Sequence, residues 1–299
     1  MKIGILTRQP GNTVRRLRTV AREHGHEVVT IRFPECYVDV AQDKPEVFYR
    51  GESLHDLDVI IPRILPGFST YGAAIVRQFE MMGVYTTAKS LAITRSRDKL
   101  RSLQVLSKAG VGIPRTIFSR ETDEVDDLIE HIGLPMIIKL ASGTQGKGVV
   151  IAETKKAAKS VIQAFYVIDT AFLMQEFIEE AGGADIRAFV VGNQIVASMK
   201  RQSLDDDFRS NIHQGGEGTA VKLTDEEKKV ALKAARAMGL QICGVDMIRS
   251  ERGPLVLEVN SAPGLEGIES VTGRDIAAKI IDYVEINAKQ RHRKDRVGA

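Results

Sequence analysis

The stretch that decides the fold is Met136-Ile137-Ile138-Lys139-Leu140-Ala141-Ser142-Gly143-Thr144-Gln145-Gly146-Lys147-Gly148-Val149-Val150-Ile151-Ala152. Its apolar ends, 136–140 and 149–152, predict two strands, and a glycine-rich loop at 142–148 joins them. The order G-x-x-x-x-G-K-[ST] is absent, and a strand follows the loop where a P-loop requires a helix, so a Walker-type site is excluded. The bare amides of the loop are suited to fold over phosphate oxygens.

Lys139 stands among apolar residues of the first of these strands. A lysine that loses water is costly unless an anion lies beside it. Two interpretations remain open: a contact to a bound phosphate, or a structural ion pair with a buried carboxylate.

A second group of polar residues, Asp246, Glu258 and Asn260, is assigned to a hairpin near the C-terminus. A three-residue loop at 251–253 with a left-handed glycine places position 246 opposite position 258. Side chains of a strand point alternately to its two faces, so in residues 254–260 Glu258 and Asn260 lie on one face. The apolar residues Leu255, Leu257 and Val259 lie on the other. Two carboxylates and an amide oxygen are hard ligands that suit Mg²⁺. The alternative is a solvated sheet face with unrelated polar residues.

Three arginines, Arg187, Arg201 and Arg209, lie on neighbouring predicted strands and on the loop that follows them. Together they are suited to neutralise charge on a transferring phosphoryl group. Each one alone is an ordinary surface charge.

The segment Gln175-Glu176-Phe177-Ile178 links the middle of the chain to its last third. An extended hinge of this kind offers backbone groups to the edge of a base while apolar side chains sandwich it. An interdomain strand without a ligand fits the segment equally well.

The amino-acid composition excludes several classes of protein. The chain has 299 residues, 43% hydrophobic and 27% charged, with a net charge of +3. This is ordinary globular usage, and the charge is too small for the whole protein to bind nucleic acid. Cys36 and Cys243 lack the spacing of a metal or redox pair, and no apolar run approaches a membrane span, so a cytoplasmic protein with no membrane contact is expected.

The order of predicted elements divides the chain into four parts. Residues 1–90 alternate strands and helices, which indicates a parallel α/β unit, and no GxGxxG follows its first strand. Residues 91–174 begin with a polar helix over 91–110, near whose start Ser96 or Asp98 acts as the cap. Residues 175–288 hold the hairpin and a terminal helix from 275 to 288, and residues 289–299 form a basic tail.

In chain order these features resemble the ATP-grasp superfamily. Within it, four segments are similar to the RimK family of glutamate ligases: residues 97–102, 143–146, 207–211 and 258–269. Pro62-Arg63-Ile64 and residues 77–80 of the first part are similar too, so the resemblance spans nearly the whole chain. It implies an α/β fold in which the N-terminal unit precedes two ATP-grasp subdomains that clasp a nucleotide.

The resemblance also implies a role for each candidate residue. The assigned contacts are Lys99 and Lys139 with the phosphates of ATP, Glu176 and Phe177 with adenine, Asp185 with ribose, Arg187 with the nucleotide, and Arg209, Ser210 and Asn211 with the phosphate and acyl-phosphate region. Asp246, Glu258 and Asn260 are assigned to two Mg²⁺ or Mn²⁺ ions, with Glu258 bridging. Lys139, Arg201 and Arg209 are the residues expected to take part in catalysis.

The implied reaction joins L-glutamate to the C-terminal carboxylate of a small-subunit ribosomal protein through an acyl phosphate. It needs no covalent enzyme nucleophile, which agrees with the lack of a Ser/His/Asp or Cys/His arrangement. The resemblance also implies a homo-oligomer, a tetramer. Three other interpretations remain: a ligase that extends a pterin or deazaflavin tail, a glutathione-synthetase-like ligase, and a nucleotide-sensing module without turnover.

The tail is the last feature. Five of the eight residues from Lys289 to Arg296 are Lys or Arg. A mobile basic end of this kind predicts weak contact with RNA, and an idle solvated tail is the alternative.

Overall fold

The computed structural model describes residues 1–294 apart from positions 43, 122, 142–147 and 204–216, and of 289–294 it describes the backbone alone. Most of the glycine-rich loop, together with Arg209, Ser210 and Asn211, therefore lies outside the described residues. No helix in the described part of the chain is long and apolar enough to cross a membrane.

The N-terminal part is built on a parallel sheet of order β2-β1-β6-β7, as the sequence predicts. Its elements are β1 Lys2–Thr7, α1 Asn12–Glu23, β2 Glu27–Arg32, β6 Val59–Arg63, α2 Ser69–Met81 and β7 Tyr85–Thr86. Helices connect β1 to β2 and β6 to β7, whereas three short strands lie between β2 and β6. Gly25 ends α1 with a φ of 79°, a conformation that favours glycine. The carboxyl ends of β1 and β6 point the same way, which makes this edge of the sheet the usual place for a ligand.

A small antiparallel sheet was not predicted. It consists of β3 Cys36–Ala41, β4 Lys44–Tyr49 and β5 Glu52–Ser53. All side chains of β3 after Cys36 are exposed, so the strand shows none of the in-and-out alternation by which strands are recognised.

The predicted helix over 91–110 is two helices, α3 Ser90–Arg97 and α4 Lys99–Lys108. Asp98 separates them and caps α4, because its carboxylate accepts a hydrogen bond from the backbone N–H of Arg101 at 3.0 Å. A residue that caps one helix has extended backbone angles, so the preceding helix ends there. The break brings Arg97 and Lys99 to the same corner of the molecule.

The central part is an antiparallel sheet of order β10-β9-β11-β8 covered by two helices. Its elements are β8 Thr116–Ser119, α5 Val125–Ile132, β9 Met136–Leu140, β10 Val149–Ala152, α6 Lys155–Val167 and β11 Phe172–Glu176. Both strands of the stretch that decides the fold are confirmed with the predicted bounds.

The C-terminal part is a five-stranded antiparallel sheet of order β14-β13-β12-β15-β16. Its elements are β12 Ala184–Val191, β13 Gln194–Gln202, β14 Glu217–Ala220, α7 Asp225–Met238, β15 Ile242–Ser250, β16 Gly253–Asn260, α8 Glu266–Thr272 and α9 Ile276–Lys294. Strand β14 and helix α8 were not predicted. The predicted end of the last helix at 288 was wrong, since α9 includes the first six residues assigned to the tail.

The buried side chains form separate cores, and these cores show which parts of the chain pack together. One cluster of buried side chains joins the N-terminal unit to the C-terminal sheet through residues such as Ile60, Phe79 and Val245. The central sheet and its helices have a separate core around Phe172 and Met174. The N-terminal and C-terminal parts thus form one packed body, and the central part faces it across a cleft.

Candidate active site

The hairpin of β15 and β16 places Asp246 directly opposite Glu258, as predicted. The predicted loop was wrong, because the turn has two residues between the paired ends Ser250 and Gly253. A β-bulge at Leu257 adds the residue that restores the pairing. Bulges commonly re-aim side chains next to functional sites.

The bulge also changes which residues face inward. Val256 is fully buried, although simple alternation places it on the face of Glu258. Glu258 itself is exposed toward the cleft, and the Asn260 side-chain N–H donates to its Oε1 at 3.0 Å. The carboxylate and the amide therefore lie side by side at the end of β16.

Behind Glu258, four charged side chains form a buried cluster that we call the paired cluster: Asp185, Arg187, Arg201 and Asp246. Arg187 lies opposite Asp246 on neighbouring strands and donates to both carboxylate oxygens at 2.7 and 2.5 Å. Arg201 donates to both oxygens of Asp185 at 2.5 Å and reaches Oδ2 of Asp246 at 2.9 Å. Each charge thus has an opposite partner.

Electrostatics distinguish the two carboxylates. Burial alone would raise the pKa of Asp246, but Arg187 and Arg201 hold it well below its ordinary value. The pKa of Glu258 is raised, because protein surrounds the cleft that it faces and because Asp246 is close. Arg187, Arg201 and Lys139 offset this shift in part, and Glu258 has no ion pair within 4 Å among the described residues, in a position that a cation can approach.

Two lysines face Glu258 from other parts of the chain. Lys139 of β9 donates to Oε1 of the buried Gln175 at 2.6 Å, and Lys99 at the start of α4 donates to the backbone oxygen of Leu140 at 2.5 Å. Desolvation lowers the pKa of both, that of Lys139 to about 8, while Glu258 opposes the shift. Among the described residues the hydrogen-bond partner of Lys139 is an amide, which favours the bound-phosphate interpretation over a structural ion pair.

The predicted nucleotide residues are placed as follows. Glu176 lies at the end of β11, where it accepts from the backbone N–H of Arg115 at 2.7 Å and pairs with Arg252. Phe177 is half-buried in the link to the C-terminal sheet. Both oxygens of Asp185 accept from Arg201. The adenine and ribose contacts stay predictions, and so do the roles of the residues at 209–211.

Sequence reasoning gave no role to two arginines next to this site. Arg97 donates to Oδ1 of Asn260 at 3.3 Å and to the backbone oxygen of Ile64 at 2.7 Å. Arg63 donates to the backbone oxygens of Ala262 and Pro263 at 3.2 and 2.6 Å. The available signal was the position of Arg63 at the carboxyl end of an apolar parallel strand.

Comparison with known proteins identifies the family. Residues 1–93 match the model of the RimK PreATP-grasp domain, and residues 96–284 match that of the RimK-like ATP-grasp domain. A protein of Vibrio cholerae named probable alpha-L-glutamate ligase is 53% identical over 99% of both chains. One of the same name from Aliivibrio fischeri is 54% identical over 99% of both chains.

Solved structures show the same fold at lower identity. The ATP-grasp ligase PsnB with its minimal precursor has a TM-score of 0.77 at 20% identity and covers 96% of this chain and 98% of its own. D-alanine–D-alanine ligase of Bacillus anthracis has a TM-score of 0.67 at 18% identity and covers 99% of each chain. These matches confirm the predicted α/β ATP-grasp fold, and with the family models they show that the chain is a ligase that belongs to the RimK-like ATP-grasp family.

Proposed function

We propose that this ligase joins L-glutamate to the C-terminal carboxylate of a peptide or protein, at the expense of ATP. The observation that carries the proposal is the arrangement in the cleft: Glu258 and Asn260 on one side, and Lys139 and Lys99 on the other. Glutamate is the substrate class in the names of relatives that are more than half identical. Family membership favours an enzyme over a nucleotide-sensing module.

The donor atoms at the end of the hairpin fit a hard divalent cation. In the described part of the chain no cluster of three His, Cys, Asp or Glu side chains is placed to hold one, so the candidate ligands are two carboxylates and an amide. Asp246 accepts one hydrogen bond on Oδ1 and two on Oδ2, which leaves a lone pair on Oδ1. Together with Glu258 and Oδ1 of Asn260, this set would hold Mg²⁺ or Mn²⁺, two ions by resemblance.

Such ions neutralise charge on the phosphoryl oxygens during transfer. The chain's own residues supply the rest. Lys139 and Lys99 bind the phosphates and fix their position, since each lysine presents its ammonium group to the cleft. Arg187 and Arg201 keep Asp246 ionised and fixed. Arg209, Ser210 and Asn211 are proposed to line the region of the acyl phosphate, and the glycine-rich loop to exclude water from it.

The proposed reaction has two steps. A carboxylate oxygen of the acceptor attacks the γ-phosphorus of ATP, the bond to the β-phosphate oxygen breaks, and ADP leaves. The amine of glutamate then attacks the acyl carbon, loses a proton, and phosphate leaves with the bond electrons. No protein nucleophile is required.

For the acceptor we propose a protein C-terminus, with a small-subunit ribosomal protein as the first one to test. The solved ligases PsnB and MdnC bind precursor peptides in the same fold, which supports a peptide over a small cofactor. The predicted cytoplasmic location, tetramer and weak RNA contact of residues 289–299 stay predictions. Light scattering checks the tetramer, and deletion of residues 289–299 checks the RNA contact through its salt dependence.

The test is to incubate the protein with ATP, Mg²⁺ and single amino acids, with and without peptides that carry ribosomal C-termini, and to weigh the products. We expect ADP release that depends on glutamate, and peptides heavier by whole glutamyl residues. Glu258→Gln should keep the fold and reduce turnover by roughly 100-fold or more, because the cation loses its bridging charge. Glutamate added to a pterin or deazaflavin, or amino-acid-independent ADP release, would contradict the proposal.

A further inference from the structure

Arg63 carries a positive charge, and no carboxylate among the described residues forms an ion pair with it. It ends strand β6 and is only 7% exposed. Its Nη2 donates to the backbone oxygens of Ala262 and Pro263. Its Nε and Nη1 groups have no partner among the residues that the structure describes. These donors remain available for an acceptor, in a guanidinium that has little contact with water.

The neighbour of Arg63 makes the imbalance larger. Arg97 carries the same charge and lowers the pKa of Arg63, which burial has already lowered, to about 10. Arg97 donates to Asn260 and Ile64, and its buried Nε has no partner within the described residues. Two adjacent like charges whose hydrogen-bond partners are neutral cost stability unless an anion lies close to them. Glu258 opposes the lowering of the pKa of Arg97, whereas no carboxylate of the described residues has this effect on Arg63.

Other arginines of the chain show that the arrangement is not general. Arg187 and Arg201 each contact a carboxylate. Arg95, two residues before Arg97, donates to the backbone oxygens of Ala237 and Met238 at the end of α7, where the helix dipole is negative. Among the described residues Arg63 has neither kind of compensation, and Arg97 has only the nearby charge of Glu258, which opposes the lowering of its pKa by burial.

The position of the two arginines selects the ligand. Arg97 contacts Asn260, which contacts Glu258, and Arg63 lies beside Arg97 at the end of the N-terminal strand β6. Lys139 and Lys99 face Glu258 from other elements. The reacting carboxylate of the acceptor must lie at the γ-phosphate. The incoming glutamate brings its amine to the same point and carries two further carboxylates within a few bonds of it.

We propose that Arg63, supported by Arg97, binds a non-reacting carboxylate of the incoming glutamate and so positions the amino acid. This inference rests on the proposed function. An arginine fork contacts a carboxylate through two parallel hydrogen bonds, which orients the amine as well as holding the molecule. Arg97 is a positioning residue, because it links this subsite to Asn260.

The test compares Arg63→Gln with wild type in separate titrations of glutamate, ATP and acceptor. The expected result is a KM for glutamate raised roughly 10- to 100-fold, as for loss of hydrogen bonds to a charged group, with the KM values for ATP and acceptor unchanged. Arg63→Lys should recover part of the loss. Arg95→Gln, which removes an arginine from the same helix as Arg97, should leave all three values unchanged.

Analogues show which carboxylate is bound. Wild type should discriminate against glutamine if the side-chain carboxylate is bound, or against the α-amide of glutamate if the α-carboxylate is bound. Arg63→Gln should remove that discrimination. If Arg63→Gln fails to fold, Arg63→Lys takes its place, and protection against thermal unfolding by glutamate, with Mg²⁺ and a non-hydrolysable ATP analogue, gives a readout besides turnover.

The outcomes separate the two proposals. Wild type that shows no glutamate-dependent turnover overturns the proposed function. Wild type that is active, with an unchanged glutamate KM and unchanged discrimination in the Arg63 variant, overturns the subsite alone. A raised KM for the acceptor or for ATP instead of glutamate also overturns the subsite.

Discussion

Two groups of charged side chains meet around Glu258, and they are satisfied in different ways. The paired cluster balances two arginines against two aspartates inside one sheet. The second group, which we call the cleft cations, has neutral hydrogen-bond partners: Arg63, Arg97, Lys99 and Lys139. The paired cluster is therefore compensated within the folded chain, whereas we propose that the cleft cations bind anions that substrates bring.

The difference follows from where the side chains originate. Members of the paired cluster lie on the adjacent strands β12, β13 and β15, whose register sets Arg187 opposite Asp246 and Arg201 opposite Asp185. The cleft cations come from β6, α3, α4 and β9, in three parts of the molecule. Charges fixed by a sheet can compensate each other during folding, while charges that converge from separate units leave room for a ligand.

The largest effect on stability is expected for Asp246→Asn, because this change leaves two buried arginines with too little negative charge. The free energy of unfolding should fall by about 3–5 kcal/mol. Urea denaturation at neutral pH measures it. The control is Asp225→Asn, because Asp225 pairs with Lys228 at the surface and should show no measurable change. An Asp246 variant with the wild-type midpoint would mean that the paired cluster does not stabilise the fold.

Lys139→Met should have the opposite effect: it should weaken nucleotide binding without lowering stability, because the charge that it removes is proposed to bind a ligand. Affinity for a non-hydrolysable ATP analogue should fall roughly 10- to 100-fold, while the stability without nucleotide holds or rises. Calorimetry and urea denaturation provide the two measurements. Lys155→Met, on the exposed face of α6, should leave nucleotide affinity unchanged. A strongly destabilised Lys139 variant that still binds the analogue would return Lys139 to a structural role.

The stability gained in Lys139→Met should depend on pH. Lys139 has a pKa of about 8 in the folded chain and 10.5 ordinarily. Between these values the unfolded chain binds more protons, so the stability that wild type lacks is regained as pH rises from about 8 to 10.5. Parallel urea titrations of both proteins over this range should converge. A constant difference would show that the ammonium charge is not the cause.

The smallest effect on stability is expected at an ion pair with one buried partner and one exposed partner. Arg249 is half-exposed and contacts the buried Glu227, which also accepts from the backbone N–H of Thr224 at 2.8 Å. Because that second bond remains, Arg249→Ala should lower the free energy of unfolding by only about 1 kcal/mol. A loss as large as that of Asp246→Asn would mean that burial of one partner alone decides the energy.

Part of the site was predictable because it depends on local pattern. The strand around Lys139 follows from its apolar run. The opposition of Asp246 and Glu258 was predicted correctly from a wrong turn, because the bulge at Leu257 compensates for the shorter loop. The exposed hairpin strand β3 was missed because its side chains carry no signal of burial. The break at Asp98 was missed because the flanking residues 91–97 and 99–108 are helical on both sides.

The family and most of the buried strands and helices were accessible from the sequence alone. Only the tertiary structure decided which charges meet. It tied Asp185 to Arg201, corrected the hairpin with a bulge at Leu257, and set Arg63 beside Arg97. The physical reason is the distance along the chain over which each signal acts. Hydrophobic periodicity involves only a few neighbouring residues, and it indicates whether a side chain faces inward. The partner of a charge is chosen by packing between elements far apart in sequence.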